Sequence, residues 1–585
     1  MLHRILIGTA AAALCVACGS DKATAPVADK VCGAGGVVTL AVNQAATIDC
    51  SAGSVIDLAG GGAHYLIVPQ FAAANVADVG VNYTIGAQNS SATPDITPVS
   101  LSRAQAMPNG ADGQALARSI APIPLDGARP GLRQASFDFM LRRRARNAVA
   151  NGAWRTSPVP ATRPMAAVPA LGSTRTFEVV SSFDAKNPTY AAVNAQLAYV
   201  GTNVLVYVDA QSPSGGFTPD QLIAFSKLFD ETLYPLDIAA FGNPSDIDSN
   251  GHVIMLLTPI VNALVTKADC KTGGYVGGFF DGFDLVSNSV DSNHGEVFYA
   301  VVPDTGASVS CAHTVDELLE VVPATFLHEL QHLISFSQHV VVNRGDAEEG
   351  WLDEGMSLVA EELGATYYEQ KYPAPTGRTN PAQLFPDSAE GYIIGQLEDS
   401  YTYLLRTDTA STTLHSDADG GLAWRGGDWL LLRWLGDQKG AAFYQQLEHN
   451  HTIGITNISA AAGEPIPALF GDFSLALWTD SIVGQPRSSV PQRNRFLTRN
   501  LRELYQAYYN AALTNGKPAA DVPRPYPVQP APLTLGSTAS GKMVPGTMMF
   551  YRVDASAPIR VKFAPPSGKF DASLHPQLSV YRLPE

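Results

Sequence analysis

The densest chemistry in this chain lies at residues 328–332, which read His328-Glu329-Leu330-Gln331-His332. Residues four apart on a helix share a face, so the two imidazoles can hold one metal ion between them. Glu329 then lies beside the ion rather than on it, where a general base is needed to take a proton from metal-activated water. Glu354, inside Trp351-Leu352-Asp353-Glu354-Gly355, offers a third ligand. A fourth position stays open for water, as a catalytic zinc site requires. H-E-x-x-H occurs by chance in roughly one chain in a hundred of this length, so its context decides. Ala324, Phe326, Leu327, Leu330, Leu333 and Ile334 are apolar at helical spacing, which predicts a buried helix with Pro323 in its first turn. Burying His, Glu and His on one stretch without a metal would be costly. A second helix is expected from near Trp351 through Glu362.

Strands precede this helix and helices follow it. Phe177-Glu178-Val179-Val180, Val204 to Val208 and Val253 to Leu257 read as strands. Thr218 to Leu233 reads as an amphipathic helix capped by Thr218, with Pro219 at its first turn. The order predicts a multidomain α+β chain whose catalytic core runs strands, zinc helix, then a mainly helical part, with a cleft between the two. Small β-rich domains are expected at both ends. The expected division is 31–100 as a β-rich module, 101–175 as an Ala/Arg/Pro-rich linker around one helix, 176–515 as the catalytic domain and 516–585 as a β-sandwich-like domain. Proline at 523, 525, 527, 530 and 532 suggests a stiff spacer before the last of these. The basic run Arg142-Arg143-Arg144-Ala145-Arg146 reads as a solvated helix face in the linker, or as a maturation cleavage site.

H-E-x-x-H followed by a helix bearing W-L-x-E-G resembles the gluzincin metallopeptidases, and among them the bacterial hyicolysin-type neutral peptidases. The resemblance spans roughly residues 180–510 and takes in Phe241 to Gly251, Ser292 to Tyr299 and Leu469 to Phe473. It implies a zincin-type core, one zinc per chain held by His328, His332 and Glu354, Glu329 as the base, and protein or peptide substrates. It also implies that Glu361, seven residues after Glu354 on the same helix face, orients a ligand; a solvated helix face is the alternative. Two features depart from the pattern. The segment Leu422 to Leu431 lacks the tyrosine that stabilises the oxyanion in related enzymes, leaving Arg425, Tyr392, Tyr401, Tyr403 and His449 as candidates. The G-x-M-E-N signature that grips a free amino end in related aminopeptidases is also absent. This favours internal cleavage, with Glu296 to Val302 as the edge strand that pairs with substrate. A catalytically inactive relative that binds peptides or glycans, and an aminopeptidase, are the alternatives.

Residues 1–18 read as an export signal, with an apolar core from Ile5 to Val16 too short to span a bilayer. Cys15-Val16-Ala17-Cys18-Gly19 resembles a lipoprotein box with Cys18 as the lipidated residue, followed by a flexible tether over 19–30. This places the chain at the outer membrane or cell surface through a lipid anchor; plain secretion is the alternative. Cys32, Cys50, Cys270 and Cys311 then suggest two disulfides, and local pairing favours Cys32–Cys50 and Cys270–Cys311. A net charge of −16 argues against nucleic acid as a partner. Asp246-Ile247-Asp248-Ser249-Asn250-Gly251 opens as a calcium loop does, with Asp246, Asp248 and Asn250 as ligands. Leu257 stands where an EF-hand needs its glutamate. The choice is between a shorter calcium loop and a hairpin turn favoured by Asn-Gly.

Overall fold

Six strands between residues 174 and 300 form the sheet that carries the candidate site. They are β1 (Thr174–Val180), β2 (Tyr190–Val200), β3 (Val204–Asp209), β4 (Val253–Leu257), β5 (Gly278–Phe280) and β6 (Val297–Ala300), in the order β5-β6-β4-β3-β2-β1. Strands β3, β4 and β6 run parallel. β4 is apolar without alternation because both of its faces are buried. The antiparallel strand β5 forms the edge beside β6. The segment expected to be the edge, Glu296 to Val302, is therefore internal: β6 is flanked on both sides, and all four of its residues are buried. β5 has only three residues, too few to show a period of two.

This computed structural model describes residues 31–33, 37–60, 62–73, 79–90, 100–101, 132–152, 166–182, 184, 188–285, 291–372, 387–412, 422–514 and 516–585. The export signal, Cys18, the tether and most of 101–175 lie outside the described residues. Among the described residues, no helix is long and apolar enough to cross a membrane.

The helices that matter for the site are α1 (Leu132–Ala150), α2 (Val315–Phe336), α3 (Gly350–Lys371), α4 (Ile394–Leu404) and α5 (Leu422–Lys439). α2 starts earlier than its sequence suggests. Thr314 and Glu317 form a reciprocal capping box, and Pro323 sits inside the helix. The capping box satisfies two orphan donors at once and fixes the start. The carbonyl stranded by Pro323 belongs to Leu319, on an exposed side of the helix. The helix expected at Thr218 forms as Pro219–Leu228, with Thr218 and Gln221 in a capping box, and continues as a wider turn to Leu233.

The strand-rich segments at the two ends do not form separate modules; they interleave. One sheet joins Val55–Leu58 and Val81–Asn89 to Ile559–Ala564 and Ser537–Met543. The other joins Ala45–Asp49 and Ala63–Phe71 to Tyr551–Ala555 and Pro576–Leu583. Ile48, Ile67, Ile85, Val561, Phe563 and Val580 are among the side chains that close a shared apolar core. Alternation in a strand shows which face is buried but not which strand lies beside it. The proline-rich stretch is docked as well: Val522, Tyr526 and Val528 join the core of the helical part. Both expected disulfides, Cys32–Cys50 and Cys270–Cys311, are present. The chain is thus a mixed α+β structure with several sheets.

Candidate functional site

α2 and α3 cross so that His328, His332 and Glu354 face one another, their ligand-type atoms all within 4.8 Å. His328 Nε2 and His332 Nε2 stand 3.1 Å apart. Glu354 Oε2 is 3.5 Å from His328 Nε2, and its Oε1 is 3.6 Å from His332 Nε2. A tetrahedral ion with ligands at about 2.0–2.2 Å separates its ligand atoms by roughly 3.3–3.6 Å. The three side chains are buried, and Glu354 Oε1 has no hydrogen-bond partner. Two ring nitrogens aimed at each other beside an unpartnered carboxylate oxygen fit a shared cation better than any set of hydrogen bonds among the three.

The surrounding side chains fix these orientations. His328 Nδ1 lies 2.7 Å from Glu361 Oε1, and Glu361 Oε2 accepts from Gln396 Nε2 at 2.7 Å. The proton on Nδ1 is then engaged, which leaves the Nε2 lone pair for a metal. His332 Nδ1 lies 3.0 Å from Asp353 Oδ1. Arg425 Nη1 donates to Glu354 Oε2. Burial alone would raise the Glu354 carboxyl, but Arg425 and the two histidines hold it well below the usual carboxylate range. Arg425 owes its place to its neighbour: a Cβ on Gly426 would lie 2.1 Å from the backbone nitrogen of Ser400. Glycine there lets α5 rest on the backbone of α4.

Glu329 is fully buried. Its Oε2 accepts from the backbone N–H of Phe280 at 2.8 Å and from Arg142 Nη2 at 2.7 Å. Burial raises its carboxyl above the ordinary value, and Arg142 and His328 oppose that rise. The hydrogen bond from Phe280 ties Glu329 to the edge strand β5.

Of the five oxyanion candidates, Arg425 touches this cluster. Tyr401 donates to the Arg524 carbonyl. Tyr392 packs against Tyr368. His449 sits under Gly242, and burial beside Asp428 raises the Tyr403 hydroxyl.

The sequence reading missed Asp138, Arg142 and Gln134, all on α1, which runs across the front of the site. Arg142 and Arg144 do not form a solvated face. Arg142 is buried against Glu329, and Arg144 Nη2 is 2.7 Å from both oxygens of Asp281. A four-residue spacing of Gln134, Asp138 and Arg142 was the available signal, because it draws a polar stripe along one helix face.

Asp246, Asp248 and Glu296 form a second carboxylate cluster, again with ligand-type atoms within 4.8 Å. Asn250 plays a different part: its Nδ2 donates to Asp248 Oδ2 at 2.7 Å, and its Oδ1 accepts from His252 N at 2.6 Å. Glu296, the residue before β6, stands where the third ligand was expected.

A stretch of 195 residues is 31% identical to the neutral metalloprotease ShpI of Staphylococcus hyicus. It takes in 33% of this chain and 40% of that protein, so the match spans less than half of either. No family model matches the chain.

Proposed function

We propose that this chain is an exported zinc endopeptidase of gluzincin type. The observation that carries the reading is the convergence of His328, His332 and Glu354 with Glu329 one residue along α2. The similarity to a neutral metalloprotease supports it. The order of elements also fits a zincin-type core: a sheet with an antiparallel edge strand, a helix carrying the histidines, then helices. Zinc held by the three side chains would supply Lewis acidity to a substrate carbonyl and to water. Glu329 takes the proton of the attacking water and returns it to the leaving amine. The outward-facing backbone of β5 pairs with an extended peptide. Arg425 and Glu361 hold Glu354 and His328 in place. The edge strand reads Gly277-Gly278-Phe279-Phe280-Asp281, with no glutamate to grip a free amino end, so internal cleavage is favoured over aminopeptidase action. Export with lipidation at Cys18 is part of the proposal and rests on the leader sequence.

The deciding experiment compares wild type with Glu329→Gln. Wild type should contain about one zinc per chain and cleave casein in a chelator-sensitive way. The variant should keep the zinc and lose about 10²–10⁴-fold in turnover. Full activity in Glu329→Gln would refute the assignment of the base.

We also propose a structural calcium ion at Asp246, Asp248 and Glu296. Glu296 Oε1 accepts from Ser245 Oγ at 2.7 Å and Ile247 N at 3.0 Å, while its buried Oε2 has no partner. Burial pushes the Glu296 carboxyl up to about 8, and Asp248 and Asp246 push it the same way. Three carboxylates and a tight loop with left-handed Ser249 and Gly251 suit a hard cation.

A further inference from the structure

We propose that α1 is the chain's own occupant of the substrate cleft and keeps the site latent, with Gln134 on the edge strand, Arg142 on Glu329 and Asp138 in the open metal position. This inference rests on the peptidase reading of the same site. Three observations carry it, one for each polar residue of the stripe.

Gln134 covers the outer edge of β5 at its first residue. Its Nε2 donates to the Gly278 carbonyl at 2.8 Å, and its Oε1 accepts from Gly277 N at 2.8 Å. One side-chain amide thus satisfies the Gly278 carbonyl of the edge strand and the N–H of Gly277 just before it. A substrate strand pairing with this edge would need the Gly278 carbonyl, so it could bind only after Gln134 had left. Arg142 Nη1 takes the next outward carbonyl, that of Phe280, at 3.0 Å.

Arg142 also holds Glu329 at 2.7 Å, with both side chains buried. The guanidinium takes the Oε2 side of the carboxylate, so water has no place between them, and Oε1 is buried without a hydrogen-bond partner.

Asp138 faces the metal ligands. Its Oδ1 accepts from Gln134 Nε2 at 2.7 Å, while its Oδ2 is buried without a hydrogen-bond partner and lies 3.8 Å from His328 Nε2. Asp138, His328 and Glu329 bring ligand-type atoms within 4.8 Å of one another. The unpartnered Oδ2 is the oxygen assigned here to the position a catalytic metal keeps open.

The flanks of the stripe anchor the helix. Phe137, Leu141, Ala145 and Val149 are buried in the main core, and Phe137 meets Phe279 of β5 edge-on with ring centroids 5.1 Å apart. The space left beside the site is a small cavity lined by Arg142, Arg146, His332 and Asp353 among others. A helix serving only as packing would need its apolar flanks alone. Burying Asp138 and Arg142 beside a half-buried Gln134 is costly unless each meets a partner; Gln134 and Arg142 meet the edge strand and the base, and Asp138 Oδ2 is left unpartnered beside His328. Hydrolysis therefore requires α1 to leave the cleft.

The test uses the full chain loaded with zinc. The double variant Phe137→Asp/Arg142→Glu removes an apolar anchor and repels Glu329. The readouts are affinity for a peptide hydroxamate, which needs the open metal position, and cleavage of an internally quenched peptide. If the cleft is open in about 1–10% of wild-type molecules, the variant should bind the hydroxamate about 10–100-fold more tightly, with a matching rise in cleavage. Equal hydroxamate affinity in wild type and variant would overturn the proposal, while cleavage by both would leave the peptidase reading standing. Tighter hydroxamate binding with no cleavage would support the occupied cleft and sink the peptidase reading. Asp138→Asn, nearly isosteric, gives a second measurement on cobalt-substituted protein: the visible spectrum should change, and an unchanged spectrum removes Asp138 from the metal.

Discussion

His328 Nε2 and His332 Nε2 face each other across 3.1 Å, while the far nitrogen of each ring lies within 3.0 Å of a carboxylate oxygen of α3. The four-residue spacing sets the first relationship, and the crossing of α2 and α3 sets the second. The orienting carboxylates should therefore matter for metal retention without touching the metal. Replacing Glu361 with Gln should weaken zinc binding by about 10–100-fold, read by competition with a chromogenic chelator. Unchanged affinity would make Glu361 a bystander.

Gly426 should be as demanding as a core residue. A Cβ there would meet Ser400 N at 2.1 Å and the Asp399 carbonyl carbon at 2.2 Å, both backbone atoms that cannot swing aside. Gly426→Ala should destabilise the chain by about 1–3 kcal/mol or more. By shifting Arg425 away from Glu354, it should also lower zinc affinity. Denaturant unfolding and zinc titration check the two effects separately.

What the sequence showed plainly was local. His328, Glu329 and His332 share one helix and Glu354 and Glu361 the next, so the spacing within each helix shows which side chains share a face. The Thr218 cap and the apolar strands β3 and β4 were legible for the same reason. What it hid was long-range. Asp138 and Glu329 are joined only by the fold. Glu296 reaches the Asp246 loop because β6 lies beside β4. The pairing of Val68 with Ser579 leaves no mark on either strand's pattern. The three-residue edge strand β5 was masked by β6, a longer apolar run that reads the same way whether it is central or at an edge.

The Asp246 cluster gives a prediction independent of hydrolysis. An ion that binds only the folded chain stabilises it by about 2.7 kcal/mol when its free concentration is 100 times its Kd. Calcium should raise the Tm of wild type, and Glu296→Gln should abolish most of that rise while leaving zinc content unchanged. If the calcium response persists in Glu296→Gln, the ligand set is wrong.

Glu348 carries a prediction about pH. It is fully buried, accepts from Gly454 N at 2.6 Å and from Asn457 Nδ2 at 2.8 Å, and has His339 Nε2 at 3.8 Å from its Oε2. Burial pushes its carboxyl up to about 8 from an ordinary 4.5, against the pull of those donors. A carboxyl raised by folding binds its proton more tightly in the native state than in the unfolded one. Its contribution to stability is therefore full below pH 4.5 or so and is lost as pH climbs through about 8. Glutamine keeps the shape but cannot ionise. The stability of wild type relative to Glu348→Gln should thus fall steadily between pH 5 and 9, measured by urea unfolding of both proteins across that range. Parallel curves would show that the Glu348 proton is not held by the fold.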